Sequence, residues 1–205
     1  MYDGEIRKNL LWSNQSRSTV FDLTPYEETI VMDTDYIVEN DTLLKAFQTK
    51  EDFLINYDAQ HIDFESTMTS EMKYISDTGI KMCWATVFYF KKVGRVKNLF
   101  TLIDHVKQHW SFYRFRYQLK ELTYRNDFAF SIAIHMMNGY EIGDWAKCLP
   151  GKLFYTLDRD QIYQIKDNKL KFLVEKENRS GEYTLASTNG SNVHVMNKFS
   201  LEKVI

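Results

Sequence analysis

Asp33 and Asp35 stand one residue apart at the end of a short apolar run, TIVMDTDYIV, from Thr29 to Val38. In an extended chain alternate side chains point the same way, so both carboxylates would leave the carboxyl end of a strand together. Two neighbouring carboxylates repel, and a divalent cation shared between them offsets that cost. The carboxyl end of a buried strand is also where open α/β sheets hold their ligands. The pair therefore points to a metal site for a phosphorylated ligand. Asp-x-Asp also occurs in surface turns, so the surrounding elements must carry the reading.

Those elements alternate in type. Thr24, Pro25 and Tyr26 make a turn before a first strand at Thr29–Met32. Asp41 is placed to cap a short helix over Thr42–Phe47, and Phe53–Tyr57 is apolar and β-prone. Met82–Phe90 (MCWATVFYF) reads as a strand buried on both faces. Asn98 is expected to cap a long helix whose Leu99, Ile103, Val106 and Trp110 form one stripe. Asn126 and Asp127 open a further helix, with Phe130, Ala133, Ile134 and Met137 at helical spacing and Gly139 behind it. Beyond Pro150 the segments shorten. Leu153–Thr156, Gln161–Ile165 and Leu170–Glu175 suggest antiparallel strands with one exposed face, Glu175–Arg179 a solvated turn, and Asn192–Asn197 a last strand. Residues 58–80 read as polar loop, and Leu10, Leu11 and Trp12 as an isolated apolar knot.

The 205 residues suit one domain. A 44% hydrophobic and 15% aromatic composition is ample for a core and excludes wholesale disorder. A net charge of −2 disfavours tight global binding to nucleic acid or anionic membrane and leaves room for a local patch. Two cysteines, Cys83 and Cys148, make no disulfide framework. With no signal-peptide pattern and no run of about 20 apolar residues, the expectation is a cytoplasmic chain without a membrane span.

VMDTDYIV (Val31–Val38) resembles the metal-binding segment of glycosyltransferases with the GT-A fold, nearest to the glycogenin-like and lipopolysaccharide-galactosyltransferase-like group. Arg17, in QSRSTVFDL, is similar to that group's upstream arginine, and His194 and Lys198, in NVHVMNK, to its C-terminal histidine and lysine. The resemblance runs from about Ser16 to Lys198. It implies a mixed α/β sheet flanked by helices, with a small antiparallel β region near the C-terminus. It also implies a metal-dependent transfer of sugar from a nucleotide-diphosphate donor to a hydroxyl acceptor (saccharide, protein or nucleic acid). Asp33, Asp35 and His194 would hold the metal, with Mn²⁺ favoured over Mg²⁺ by the imidazole. Lys198 and Arg17 would hold the diphosphate, with Asp33 also facing the donor. MCWATVFYF resembles the family's middle strand, which brings Trp84, Ala85 and Thr86 toward donor and acceptor. Asn126 and Asp127, in RNDFAF, are similar to a polar pair near the reacting sugar carbon, where a carboxylate would orient or deprotonate the acceptor hydroxyl. Each residue also has a plain structural role: a half-buried strand histidine, surface Lys198 and Arg17, a core Trp84, and an Asn126 helix cap with Asp127 in the first turn.

Two further patterns could carry chemistry. His105 and His109 lie four apart on a predicted helix and could share a metal, but no third ligand accompanies them, and surface placement is favoured. Trp110–Lys120 (WSFYRFRYQLK) interleaves aromatics with Arg114 and Arg116. It could stack bases and hold phosphates, as in a metal-dependent nucleic-acid-processing enzyme, although a helix with an aromatic core face and an arginine rim is favoured. The chain departs from the family in one respect: 32 residues precede Asp33, and none resembles the first strand of a base-binding unit. Residues 1–28 would be a remnant of that unit, 29–150 the α/β core and 151–205 a β region closing the metal site. The resemblance then implies an exposed sheet edge, with self-association or a partner chain completing the nucleotide-binding half, or a non-catalytic binding module.

Overall fold

The computed structural model describes residues 13–63, 73–75, 80–120, 122–166, 169–176 and 181–204. The apolar knot at Leu10–Trp12 and parts of the 58–80 loop and of the turn after Glu175 lie outside these residues. Among the described residues, ten strands and several helices form a mixed α/β arrangement of three small sheets. No described helix is long and apolar enough to cross a membrane.

The first sheet has the order β1 (Glu28–Met32), β5 (Trp84–Lys91), β3 (Phe53–Asn56), with β5 antiparallel to both neighbours. The nearly continuous apolar run of β5 has a simple cause: every residue from Trp84 to Phe90 is buried, so neither face can be polar. β1 is an edge strand among the described residues, and its residues Glu28–Val31 are half-buried. On the opposite edge, the Ile55 N–H donates to the Lys147 carbonyl, which covers β3 with a loop.

The second sheet has the order β2 (Tyr36–Ile37), β10 (Val193–His194), β6 (Leu153–Tyr155), β4 (Ala59–His61). β10 is antiparallel to β2 and parallel to β6, and β6 is parallel to β4. The Leu153 segment, expected to pair antiparallel, is therefore a parallel strand inside this sheet. Three-residue strands carry too little pattern to encode direction. The antiparallel C-terminal region is present as the third sheet, β7 (Gln161–Lys166), β8 (Lys169–Glu175), β9 (Tyr183–Ser187). There Leu170, Phe172 and Val174 are buried while their alternates are not, as the period of two requires.

Helices supply the other layer. A 3₁₀ segment, Ser13–Thr19, runs into α1 (Val20–Leu23), and a second 3₁₀ segment spans Thr42–Gln48. α2 (Gly94–Gln108) packs against α4 (Asn126–Met137), which also packs on β5. α2 starts at Gly94, so Asn98 lies inside the helix and is not its cap. The chain is still extended at Val93 (φ −120°, ψ 158°), and the Val96 and Lys97 N–H groups donate to the Val93 carbonyl. The helix ends at His109 and restarts as α3 (Trp110–Arg116). α4 ends as the sequence implies, with Gly139 at φ 72°, a left-handed position that favours glycine.

Phe21, Phe53, Phe88, Phe90, Phe100 and Phe130 join the first sheet to the helices. The Phe88 and Phe130 rings lie 4.9 Å apart, within the range of favourable aromatic pairs. A smaller cluster, including Ile162, Phe172, Val193 and Leu201, sits under the third sheet. Phe88 is fully buried on the strand that carries the site. Phe88→Ala is expected to lower unfolding free energy by about 3–5 kcal/mol, measured by chemical denaturation.

Candidate metal centre

Asp33 follows β1 directly, and its N–H donates to the Thr86 carbonyl on β5 at 2.8 Å. The chain then turns: the Tyr36 N–H donates to the Asp33 carbonyl at 3.1 Å, and β2 begins. β10 pairs with β2 so that His194 lies opposite Tyr36, and the Val195 N–H donates to the Asp35 carbonyl at 2.9 Å. Residues 159 positions apart in sequence thereby meet. His194 Nε2 lies 3.3 Å from Asp35 Oδ1. Asp33, Asp35 and His194 each offer a ligand atom within 4.8 Å of the others, the one such group of three among the described residues.

Cations from both ends of the chain reach the two carboxylates. Arg17, buried on the 3₁₀ segment, pairs with Asp33, and its guanidinium lies 5.8 Å from the centre of the Phe88 ring. Lys198, the first residue of α5 (Lys198–Glu202), places Nζ 3.3 Å from Asp35 Oδ2. Burial by itself would raise the Asp35 pKa. The His194 hydrogen bond and the electrostatic influence of His194 and Lys198 outweigh burial and hold the carboxyl below its usual range.

Thr86 connects two of the three ligand residues. Its carbonyl fixes Asp33, and its buried hydroxyl lies 3.4 Å from His194 Nδ1. A partner on one imidazole nitrogen orients the other, the usual arrangement around metal-ligating histidines. Asp127 reaches the same strand. Its Oδ1 accepts the Ala85 N–H at 2.9 Å and its Oδ2 the Arg125 guanidinium at 2.8 Å. Asn126, in the first turn of α4, accepts the Tyr124 hydroxyl at 3.3 Å. Trp84 is only 3% exposed and stacks on Tyr155 with ring centres 5.5 Å apart, which makes it core packing and not an open wall for a ligand. The His105 and His109 rings adjoin at 4.3 Å, outside any three-ligand group among the described residues.

A second ionisable cluster escaped sequence reasoning. His61, on β4, is 1% exposed and lies between two aspartates. Its Nε2 is 2.7 Å from Asp160 Oδ2, and its Nδ1 is 2.8 Å from Asp63 Oδ1. Burial pushes the imidazole pKa down. The Asp160 and Asp63 interactions push it up, and the net shift is upward. The Asp160 carbonyl also accepts the Asn197 side-chain amide, and Asn197 caps α5 at the Ser200 N–H. The cluster thus anchors the helix that presents Lys198. His61-x-Asp63 was visible in sequence, but nothing marked Asp160 as its partner.

No protein-family model, curated protein or solved structure matches this chain. The donor set itself must therefore be tested for fit. Two ligands about 2.1 Å from one cation and at right angles to each other are about 3 Å apart. The 3.3 Å between His194 Nε2 and Asp35 Oδ1 suits that arrangement. Two carboxylates with one imidazole form a set compatible with a divalent first-row metal.

Two predictions follow from this geometry. If Asp33, Asp35 and His194 hold a divalent cation, Thr86→Val should weaken Mn²⁺ binding by roughly 10–100-fold while Thr86→Ser retains it, read by titration calorimetry at unchanged thermal stability. The raised His61 pKa gives a stabilising contribution that is complete below about pH 6.5 and fades as pH rises through the folded-state value. Denaturation series across that interval should show this slope in the native chain and lose it in His61→Gln.

Proposed function

We propose that the chain is a metal-dependent glycosyltransferase of GT-A type, moving a sugar from a nucleotide-diphosphate donor to a hydroxyl acceptor. The observation that carries the reading is the meeting of Asp33, Asp35 and His194 within 4.8 Å, with Lys198 beside them. Asp33, Asp35 and His194 would hold the divalent cation, with Mn²⁺ favoured over Mg²⁺. When bound, that cation would neutralise charge developing on the departing diphosphate.

The chain's own residues do the remaining work. Lys198 is 68% exposed at its side chain, so its ammonium can leave Asp35 for a donor phosphate as a mobile point charge. Arg17 keeps Asp33 compensated from the buried side and lends positive charge to the diphosphate end of the pocket. Thr86 orients His194, and Asp127 sets the start of β5. Asp127 is also the carboxylate assigned to the acceptor hydroxyl, where release of the Arg125 contact would open one oxygen to a proton. Arg17 and Lys198 are already paired with Asp33 and Asp35, so an added diphosphate brings negative charge that only a further cation would balance, and donor binding should require metal.

Calorimetry with Mn²⁺ and nucleoside diphosphates tests this reading. Nucleoside diphosphate should bind only when Mn²⁺ is present, and Asp35→Asn or His194→Ala should weaken Mn²⁺ binding by at least about tenfold. Folded protein that binds neither metal nor diphosphate would remove the enzymatic reading and leave a non-catalytic module.

A further inference from the structure

β9 forms one side of the third sheet, and no other described strand pairs beyond it. Its register tells which backbone groups look outward. At the two ends of the β8–β9 pairing, the Lys176 N–H donates to the Glu182 carbonyl at 2.9 Å and the Thr188 N–H to the Leu170 carbonyl at 3.1 Å. In an antiparallel ladder the hydrogen-bonded pairs recur at every second residue. Val174–Thr184 and Phe172–Ala186 are therefore the bonded pairs in between. The N–H and C=O groups of Tyr183, Leu185 and Ser187 point away from β8, where no described backbone group meets them.

Proteins ordinarily guard such an edge with charge, proline, a bulge or a covering segment. β7, on the other side of the same sheet, is guarded. Its register shifts between Ile162 and Gln164, and the Ile162 N–H donates to the Ser200 hydroxyl of α5 at 2.6 Å. β9 pairs with β8 in unbroken register, and its sequence, YTLAS, contains neither a charge nor a proline. Tyr183 is 46% and Leu185 59% exposed. An uncharged, regular edge with exposed apolar side chains is a template for a further strand.

We propose that this strand comes from a second copy of the chain, set antiparallel to β9 about a two-fold axis at Leu185, so that two third sheets join into one. The side chains are self-complementary in that arrangement. Leu170, Phe172 and Val174 face the core, so Lys171, Leu173 and Glu175 lie on the other face, with Ser187, Leu185 and Tyr183 opposite them. At the axis Leu185 meets its own counterpart, and the apolar row Leu173–Leu185 continues across the join. On either side of that row, Tyr183 of one copy meets Ser187 of the other. Each flanking row then has Glu175 at one end and Lys171 at the other, so opposite charges face each other across the join. The outward N–H and C=O groups of Tyr183, Leu185 and Ser187 are all paired in both copies, as a two-fold interface requires. The proposal goes beyond the glycosyltransferase reading and uses no residue of the metal centre.

Sedimentation equilibrium of the full chain tests it, with a monomer–dimer equilibrium expected. Leu185→Lys places like charges together at the axis and should weaken self-association by at least about tenfold, with thermal melting of the monomer unchanged because the side chain is exposed. Leu185→Glu should do the same. Mixing the two variants should restore the dimer as a heterodimer, which a folding defect could not produce. A chain that stays monomeric throughout its soluble range would overturn the proposal. So would a dimer whose affinity Leu185→Lys leaves unchanged, since its interface lies elsewhere, and so would mixed variants that associate no better than either alone.

Discussion

Two carboxylates brought to one point need opposite charge close by, and this chain supplies it from distant segments. Asp33 is matched by Arg17 from the N-terminal 3₁₀ segment, and Asp35 by His194 and Lys198 from the last twelve residues. The cluster therefore exists only where the N-terminal 3₁₀ segment, the acidic turn and the C-terminal strand and helix meet. Its carboxylates are balanced by side chains of the protein itself, and these neighbours hold the Asp35 carboxyl below its usual range. Lys198, 68% exposed at its side chain, supplies its part of that balance from the surface, whereas Arg17 supplies its part from a buried position.

Very little regular structure accomplishes this convergence. β2 and β10 are two residues each, and alone neither would persist in water. They hold because β10 lies between β2 and β6, with β6 backed in turn by β4. Behind them stands β5, the one long strand buried on both faces, which offers Thr86 to both Asp33 and His194. The aromatic cluster around Phe88 and Phe130 fixes β5 against α4. Rigidity thus passes from the core through one strand to the ligand residues, which is how a loop-borne site acquires fixed geometry.

Some features were legible because the local pattern had a single reading. The β5 run is continuously apolar and forms a buried strand, and Leu99, Ile103 and Val106 are the buried stripe of α2, although Trp110 falls in the next helix, α3. Alternation in β8 gave its buried face correctly. Other features had no local signal. Asn98 looked like a helix cap, but extended backbone at Val93 let the helix begin at Gly94. The direction of β6 depends on strands far away in sequence. Trp84 lay on the right strand, yet packing against Tyr155 turned it into core. In Trp110–Lys120 the aromatic spacing was plain, but which rings face the core was decided by how α3 docks, and two phenylalanines were left outside.

By itself the sequence determined which residue types could form a cluster. The apolar run before Asp33 and Asp35, the arginine upstream, and the histidine and lysine near the end were all readable as residue types. Only the tertiary structure decided that they meet, that Thr86 stands behind two of them, and that His61 finds Asp160. The physical reason is one of range. Strand and helix periodicity are set by neighbours within a few positions, whereas a charge cluster spanning residues 17 to 198 is set by burial, strand pairing and the need to balance charge across the whole fold.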